Sequence, residues 1–297
     1  MKILDKFRIL TYNIGFINES IDKILLNGIK SGDIVWMKHH FKDRYFADPF
    51  LIRQDSKYFY ILCEEYIFWE EKGKITLLMV DRQSYELKER RIIIEEEYHL
   101  SFPYCKLNGN WILPEASASD KAYAYEIDID SVKIQRKIEI ADYGLIDNVI
   151  YEDNSGRWLY AGKVEHPNVE LYEFEQKGNG KFYLNNRNPL QSDRSCSRGA
   201  GDFFACNGKI YRGVQDCKVR YGQQTKIMEM LHIGKDGYEA KEFCTLNSFK
   251  NPPFDETMHT FNVYDEIIIV DGSKDFFRFP MKLLYKKCRW LFRNRKQ

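Results

Sequence analysis

One unit of sequence recurs five times along this chain of 297 residues. Each copy joins two short segments of alternating apolar and polar residues through a turn of Gly, Asp or Asn, and the second segment is rich in aromatic residues. The copies occupy residues 46–66, 100–117, 145–163, 198–216 and 258–273. Alternation with period two between turn residues predicts antiparallel strands. A short unit that recurs cannot bury both of its faces alone, so the repeat predicts units that stack on one another.

The spacing of the copies selects among the all-β architectures, which at this length include a sandwich and a barrel. Equivalent positions, Asp48, Pro103, Asp147, Gly201 and Thr260, lie 55, 44, 54 and 59 residues apart. A four-stranded propeller blade takes roughly 40 to 50 residues. We therefore predict an all-β fold, a five-bladed β-propeller over residues 1–280. The N-terminal segment FRILTYNIG is expected to add the strand that closes the ring and removes the free sheet edge.

Helical periodicity is confined to residues 17–28 and to the last fifteen residues. Residues 281–297 contain seven Lys or Arg and no acid. On a helix, four apolar residues of this tail share one face: Leu284, Cys288, Leu291 and Phe292. We predict a short basic C-terminal helix that docks on a membrane surface or on a glycosyltransferase, because aromatic residues beside basic ones suit the lipid headgroup region. A solvated basic tail is the alternative.

The overall composition limits the classes of binding partner and the cellular compartment that we expect. With 45 basic and 44 acidic residues, the chain has no global field that would recruit nucleic acid, so no nucleic-acid partner is expected. The start lacks a signal peptide, no segment is apolar enough to span a bilayer, and the seven cysteines include no C-x-x-C pair. These features predict a cytoplasmic protein, peripheral at the inner membrane if the tail binds lipid.

The segment of residues 193–222 contains three cysteines and a short glycine motif. Cys196, Cys206 and Cys217 are spaced by 10 and 11 residues with no His among them, whereas a zinc site needs tighter pairs of ligands. The motif GAG follows no strand-to-helix pattern, which argues against dinucleotide binding. We interpret the cysteines as packed free thiols and expect neither a metal nor a cofactor.

The candidate site lies where the inner strands of such a propeller begin, at one mouth of the central channel. The copies place eight polar residues at or near this mouth: Asp48, Glu64, His99, Glu115, Asp147, Arg198, Asp216 and His259. Carboxylates accept hydrogen bonds from hydroxyl groups, and aromatic faces cover sugar rings, so this set suits a polyhydroxylated ligand. Glu64 and Glu65 point to opposite faces of a strand, so at most one of them faces the channel.

Several of these residues also fit structural roles. Arg198 would bind a phosphate or carboxylate in a bidentate manner, or form a salt bridge between blades with Asp216 or Asp48. Asp48 also suits a turn in which its carboxylate accepts backbone hydrogen bonds. His99 and His259 are candidates for packing contacts as well as for ligand contacts.

Eight motifs in a fixed order identify a family resemblance: FADPF, HLSFPY, PEAS, LIDNVIY, RNPLQSDRSCSRGAG, YRGVQDCKVRYG, HTFN and VDG. From about residue 36 to residue 275 the chain resembles the five-bladed N-terminal domain of glucosamine inositolphosphorylceramide transferases. Bacterial relatives of that domain are associated with formyltransferase-like and polysaccharide-biosynthesis proteins. The resemblance implies a carbohydrate-active or carbohydrate-binding propeller in polysaccharide or glycoconjugate biosynthesis, with a sugar or sugar-phosphate ligand. The plant enzymes carry a separate glycosyltransferase domain after this one, and no counterpart is expected here, so the resemblance does not imply transferase activity.

More distantly, the blade pattern is similar to arabinanase- and xylosidase-type glycoside hydrolases. That similarity implies Asp48 as general base and Asp147 as the carboxylate that tunes it. At the position of the acid this chain has Arg198, which cannot donate a proton at neutral pH. Glu115 or Asp216 would have to replace it, at the roughly 6.5 to 9.5 Å that an inverting pair requires. The alternatives to sugar binding are therefore a glycoside hydrolase that uses Asp48, Asp147 and Glu115, and a non-catalytic scaffold for a glycosyltransferase.

Overall fold

The computed structural model describes residues 8–163 and 170–277. In these residues twenty strands form five four-stranded antiparallel sheets, which are the blades of a β-propeller. The predicted fold class is confirmed. The predicted C-terminal helix, the boundary at residue 280 and the basic tail of residues 281–297 lie outside the described residues and stay predictions.

Four blades are continuous segments of the chain, and in each the strands follow chain order from the inner to the outer edge. Blade one consists of β3 (Arg44–Gln54), β4 (Tyr58–Ile67), β5 (Lys72–Asp81) and β6 (Leu87–Ile94). Blade two consists of β7 (Ser101–Tyr104), β8 (Trp111–Glu115), β9 (Ala122–Asp128) and β10 (Lys133–Ala141). Blade three consists of β11 (Leu145–Asp153), β12 (Gly156–Lys163), β13 (Leu171–Gln176) and β14 (Phe182–Leu184). Blade four consists of β15 (Gly199–Cys206), β16 (Lys209–Asp216), β17 (Gln224–His232) and β18 (Glu239–Leu246).

Blade five joins the two ends of the described chain. It consists of β19 (Phe261–Tyr264), β20 (Ile267–Phe277), β1 (Arg8–Ile17) and β2 (Ile34–Trp36). β1 pairs with β20 along its whole length, from Arg8 opposite Phe277 to Ile17 opposite Ile268. The predicted ring closure by the N-terminal segment is confirmed, and the structure adds that this end of the chain supplies two strands. Between them lies a short helix, α1 (Ile21–Asn27), within the segment whose periodicity is helical.

The hydrophobic core lies between neighbouring blades, because each blade buries both faces against the next. One cluster joins blades one, two and three, a second joins blades five and one, and a third joins blades four and five. In the first cluster the rings of Phe50 and Phe102, from two inner strands, meet edge to face at 5.0 Å and are fully buried. Each such buried side chain stabilises the fold by about 1.5–3 kcal/mol, so the core holds the inner strands in a fixed ring.

Cys196, Cys206 and Cys217 are buried free thiols, as are Cys63 and Cys105. Their burial raises the pKa of the Cys196 and Cys217 thiols, which keeps them protonated. Among the described residues, no helix has the length and apolar character that would let it cross a bilayer.

Candidate functional site

The inner strands of the first four blades carry a bulge at the same point, near the start of each strand. The register shifts fall between Ala47 and Phe50, Ser101 and Tyr104, Ile146 and Val149, and Gly199 and Phe203. In three of these bulges a non-glycine residue has a left-handed backbone, namely Asp48 (φ 52°), Phe102 (φ 42°) and Asp147 (φ 49°). Aspartate tolerates this conformation better than most residues, and a bulge re-aims the side chain that it contains. The repeated aspartates are thus bulge residues.

In blade four the corresponding residue is Gly201, with φ 142°. A Cβ at this position would lie 2.4 Å from the carbonyl oxygen of Phe261 in blade five. The close approach of two inner strands therefore requires glycine here. The inner strands of blades four and five therefore lie closer together at the channel than a side chain at residue 201 would allow.

One group of polar residues, which we call the His259 cluster, consists of Asp48, His259 and Asp271. The Nδ1 atom of His259 lies 2.7 Å from the Asp271 carboxylate, and its Nε2 atom lies 3.6 Å from Oδ1 of Asp48. The hydroxyl of Thr260 donates a hydrogen bond to the same Asp48 oxygen at 2.9 Å. All three members of the cluster are buried. The cluster joins blade five to blade one.

The charges of this cluster support one another. Burial by itself would lower the pKa of His259, but the charges of Asp271 and Asp48 outweigh it and raise the pKa to about 9. Burial raises the pKa of Asp48 to about 6, against the opposing charge of His259. Burial also acts to raise the pKa of Asp271, but His259 and backbone hydrogen bonds hold it below its usual range. At neutral pH His259 is therefore an imidazolium between two carboxylates.

The same three side chains are close enough to hold a metal ion, with candidate ligand atoms within 4.8 Å of one another. Their hydrogen bonds do not fit that role. Oδ1 of Asp271 already accepts the backbone N–H groups of His259 and Thr260 at 3.1 and 3.0 Å, in addition to the imidazole contact. An imidazolium has no free lone pair for a metal. The imidazolium thus supplies the positive charge between the two carboxylates.

A second group, which we call the Arg198 cluster, consists of Glu115, Asp147 and Arg198. The guanidinium of Arg198 contacts the Asp147 carboxylate through Nε at 2.7 Å and Nη2 at 3.2 Å, and Nη2 lies 3.7 Å from Glu115. Burial and the charge of Asp147 raise the pKa of Glu115 to about 8, although Arg198 opposes them. At neutral pH Glu115 is therefore mostly protonated and offers an O–H donor.

Both clusters use one backbone device. In each, a carboxyl oxygen on the second strand of one blade accepts the bulge N–H of the next blade. Asp271 accepts from Asp48 at 3.1 Å, and Glu115 accepts from Asp147 at 3.2 Å. The two carboxyl pairs therefore occupy equivalent positions of the repeat, but their cations do not: His259 belongs to the same blade as Asp271, whereas Arg198 belongs to the blade after that of Asp147.

Glu64 and His99 form a third part of the site. Oε1 of Glu64 lies 3.4 Å from Nε2 of His99 and 3.4 Å from the hydroxyl of Tyr45. Burial and the charge of Asp48 raise the pKa of Glu64 well above its usual value, whereas burial lowers the pKa of His99. Glu65 points the other way and pairs with Arg44 and Arg90, as alternation along β4 requires. Of the two glutamates, Glu64 is the one that belongs to the site.

Asp216 does not join either cluster. Its carboxylate accepts hydrogen bonds from the side chain of Gln224 and from the backbone N–H of Lys218, both at 3.1 Å. The preceding residue, Gln215, instead reaches Asp147 with its amide at 3.3 Å. The salt bridge expected between Arg198 and Asp216 or Asp48 is corrected accordingly: Arg198 pairs with Asp147 and Glu115.

Two tyrosines of the site were not identified from the sequence. The Tyr221 ring lies 4.9 Å from the Arg198 guanidinium and meets the His259 ring edge to face at 5.5 Å, so that it touches both clusters. The ring of Tyr12, on β1, stacks on the ring of His259 with 4.8 Å between the ring centres. Gly222 has φ 56°, and a Cβ at this position would lie 2.6 Å from the Cβ of His259. Glycine here therefore lets the loop that carries Tyr221 approach His259. The aromatic ending of the motif YRGVQDCKVRYG was the available signal for Tyr221.

The assembled site mixes fixed donors and acceptors beneath an aromatic ring. Glu115 offers a protonated carboxyl at neutral pH, the pKa of Glu64 is raised well above its usual value, Asp271 offers a carboxylate, and Tyr221 is 44% exposed. Sites of this composition hydrogen-bond several hydroxyl groups and cover one face of a ring. The fold and the site thus define a class: a five-bladed β-propeller with a buried polar network at one channel mouth.

Comparison with known proteins gives the family. Residues 32–252 match the family described as glucosamine inositolphosphorylceramide transferase 1, N-terminal, and the chain belongs to that family. Glucosamine inositolphosphorylceramide transferase 1 of Oryza sativa subsp. indica is 24% identical over 214 residues, which cover 67% of this chain and 28% of that protein. The Arabidopsis thaliana protein of the same name is 23% identical over 215 residues. The chain thus spans about 28% of the length of these relatives, and the predicted family resemblance is confirmed.

Solved structures give weaker similarities. The GH32 β-fructofuranosidase of Bombyx mori aligns over 75% of this chain and 54% of its own, with 13% identity and a TM-score of 0.47. TolB from Acinetobacter baumannii aligns over 90% of this chain and 65% of its own, with 13% identity and a TM-score of 0.42.

Proposed function

We propose that this propeller binds a sugar or sugar-phosphate at the channel mouth, in the biosynthesis of a polysaccharide or glycoconjugate. The family supports a carbohydrate-related role, since its plant members are named as glucosamine inositolphosphorylceramide transferases. The composition of the mouth supports direct contact with the carbohydrate. The biosynthetic setting rests on the family and on Arg198, which stands where the hydrolases of similar blade pattern keep their acid.

The observation that carries the proposal is the position of Tyr221. Tyr221 is 44% exposed and its ring contacts both Arg198 and His259, while the carboxyl groups of the two clusters are buried and held by their cations. A tyrosine ring that is fixed by a cation and belongs to a partly exposed residue is suited to stack on the apolar face of a sugar. The buried carboxyls next to it are fixed hydrogen-bond partners for the hydroxyl groups at the edge of that sugar.

The test is carbohydrate binding by Tyr221→Ala against a matched control, Tyr183→Ala. Tyr183 lies on the outer strand of blade three and is 41% exposed, close to the 44% of Tyr221. Wild-type protein is first applied to an array of neutral, amino and phosphorylated sugars, and each ligand found is measured by calorimetry. We expect Tyr221→Ala to weaken binding about tenfold or more, as truncation of an aromatic contact residue does, and Tyr183→Ala to leave it unchanged.

Equal weakening by the two substitutions, or no binding to any sugar on the array, would contradict the proposal. The same samples also test the hydrolase alternative, for which the protonated Glu115 is the candidate acid. Release of reducing sugar that Glu115→Gln abolishes would favour a hydrolase over a binding domain. Binding without release favours the proposal.

A further inference from the structure

A cavity of about 360 Å³ opens beside the channel mouth, between blade five and the start of blade one. Its wall includes Thr11 and Tyr12 of β1, Lys274 of β20 and the segment that joins β2 to β3. That joining segment contributes Lys38, His39 and Lys42. The ring of Tyr12 separates the cavity from the mouth, since it also stacks on His259. The cavity is therefore a neighbour of the mouth and meets it at Tyr12.

The cavity wall is basic. Lys38, Lys42, Arg44 and Lys274 line it together with His39, and none of the described lining residues carries a carboxylate. Arg44 is held from behind by ion pairs with Asp43 and Glu65. Lys274 forms no ion pair with a described residue, and its ammonium lies 4.5 Å from the centre of the Phe254 ring. Cationic side chains of blade five, of blade one and of the segment between them thus line one concave space, in which Lys38 and Lys42 are exposed and Lys274 is half-buried.

The positive charges of the cavity wall oppose one another. Burial and the charge of Lys42 lower the pKa of Lys274, and burial together with Lys42, His40 and Lys274 lowers the pKa of His39 to about 4. Like charges that are held together in this way favour any anion that enters between them. A compact anion with several acceptor oxygens would satisfy more than one ammonium group at once.

We propose that this cavity, lined by Lys38, Lys42 and Lys274, is a binding site for a phosphate group, separate from the sugar site at the mouth. A tetrahedral phosphate accepts hydrogen bonds in several directions, which matches ammonium groups that come from different strands and line one space. The hydroxyl of Thr11, opposite Lys274 in the β1–β20 ladder, is a further donor on the same wall. A soluble phosphate ester and a lipid headgroup both present this group, so either source fits the same chemistry.

The experiment measures binding of inorganic phosphate and pyrophosphate by calorimetry at low salt. Wild type is compared with Lys274→Gln, Lys42→Gln and the control Lys30→Gln, an exposed lysine of the same blade-five chain segment. We expect each cavity substitution to weaken phosphate binding about tenfold, the effect of losing one charge-assisted contact, and Lys30→Gln to leave it unchanged. Lys274→Gln should not lower the Tm, because it relieves repulsion between like charges.

Two further arms distinguish the source of the phosphate. In one, vesicles of phosphatidylcholine with phosphatidic acid are compared with phosphatidylcholine alone. In the other, a soluble phosphate monoester competes with inorganic phosphate. Vesicle binding that Lys274→Gln removes indicates a lipid headgroup, and competition without vesicle binding indicates a soluble ester. If phosphate does not bind, or binds as well to both cavity variants as to Lys30→Gln, the proposal is wrong, whatever the sugar array shows.

Discussion

The carboxyl pairs of the His259 cluster and of the Arg198 cluster occupy equivalent places in the repeat, yet the two clusters use different cations. In both, a second-strand carboxyl oxygen accepts the N–H of a bulged aspartate from the next blade. The His259 cluster neutralises its carboxylates with an imidazolium, whose charge depends on pH. The Arg198 cluster uses a guanidinium, which stays charged throughout the working range. The same backbone device therefore supports one half of the mouth whose cation titrates and one half whose cation is permanently charged.

The largest loss of unfolding free energy is expected for Arg198→Ala, in the Arg198 cluster. Asp147 would be left buried with no cation, and loss of one partner from a buried pair costs about 3–5 kcal/mol. The measurement is urea unfolding at pH 7. The control is Arg136→Ala, which removes a surface pair with Glu126 and should cost at most about 1 kcal/mol. Similar losses for the two variants would show that Arg198 is dispensable to the fold.

Unfolding of wild type and of His259→Gln, measured over a series of pH values, tests the charge of the His259 cluster. Because the folded pKa of His259 is raised to about 9, its stabilisation is fully present below its unfolded pKa of roughly 6.5 and is lost as the pH rises through about 9. The difference in unfolding free energy between wild type and variant should shrink over that window, by on the order of 2–3 kcal/mol. His232→Gln, at an exposed position on blade four, should show no such change. A constant difference for His259→Gln would contradict the charge assignment.

The smallest effect is expected from the repeated aspartates themselves. Asp48→Asn should cost about 1 kcal/mol or less at pH 7, because burial already raises the pKa of Asp48 to about 6 and His259 keeps Asp271 as its partner. Asparagine also tolerates the left-handed backbone at that position. Asp147→Asn should cost more, since it leaves Arg198 with Glu115 alone. If Asp48→Asn lowered the unfolding free energy more than Asp147→Asn does, the order of the two clusters would be reversed.

The repeat predicted the five blades because each copy coincides with the inner two strands of one blade. It also located Asp48 and Asp147, since a bulge recurs near the same place in four of the five units. The pairing of Arg198 with Asp147 could not be predicted, because the two residues lie 51 positions apart on different blades. Nor could alternation alone decide whether Gln215 or Asp216 faces the channel, since that depends on the register of β16.

The aromatic part of the site was the least predictable. Tyr12 lies on the strand that closes the ring, and Tyr221 lies in a loop outside the strand pattern. The chain contains 20 tyrosines, so residue type alone could not single out these two. Their roles depend on contacts with His259 that only the closed ring creates.

The pairing of β1 with β20 also has a consequence for how the ring is made in the cell. During translation β1 emerges before the other described strands, whereas its partner β20 emerges after all of them. Until then blade five does not exist, and Tyr12 has no His259 to stack on. Contacts of such long sequence separation are the slowest to form, and an unpaired strand invites pairing with other chains in the meantime. The last step of folding therefore completes the ring and the candidate site together, so that a nascent chain cannot bind at the mouth before synthesis of blade five is finished.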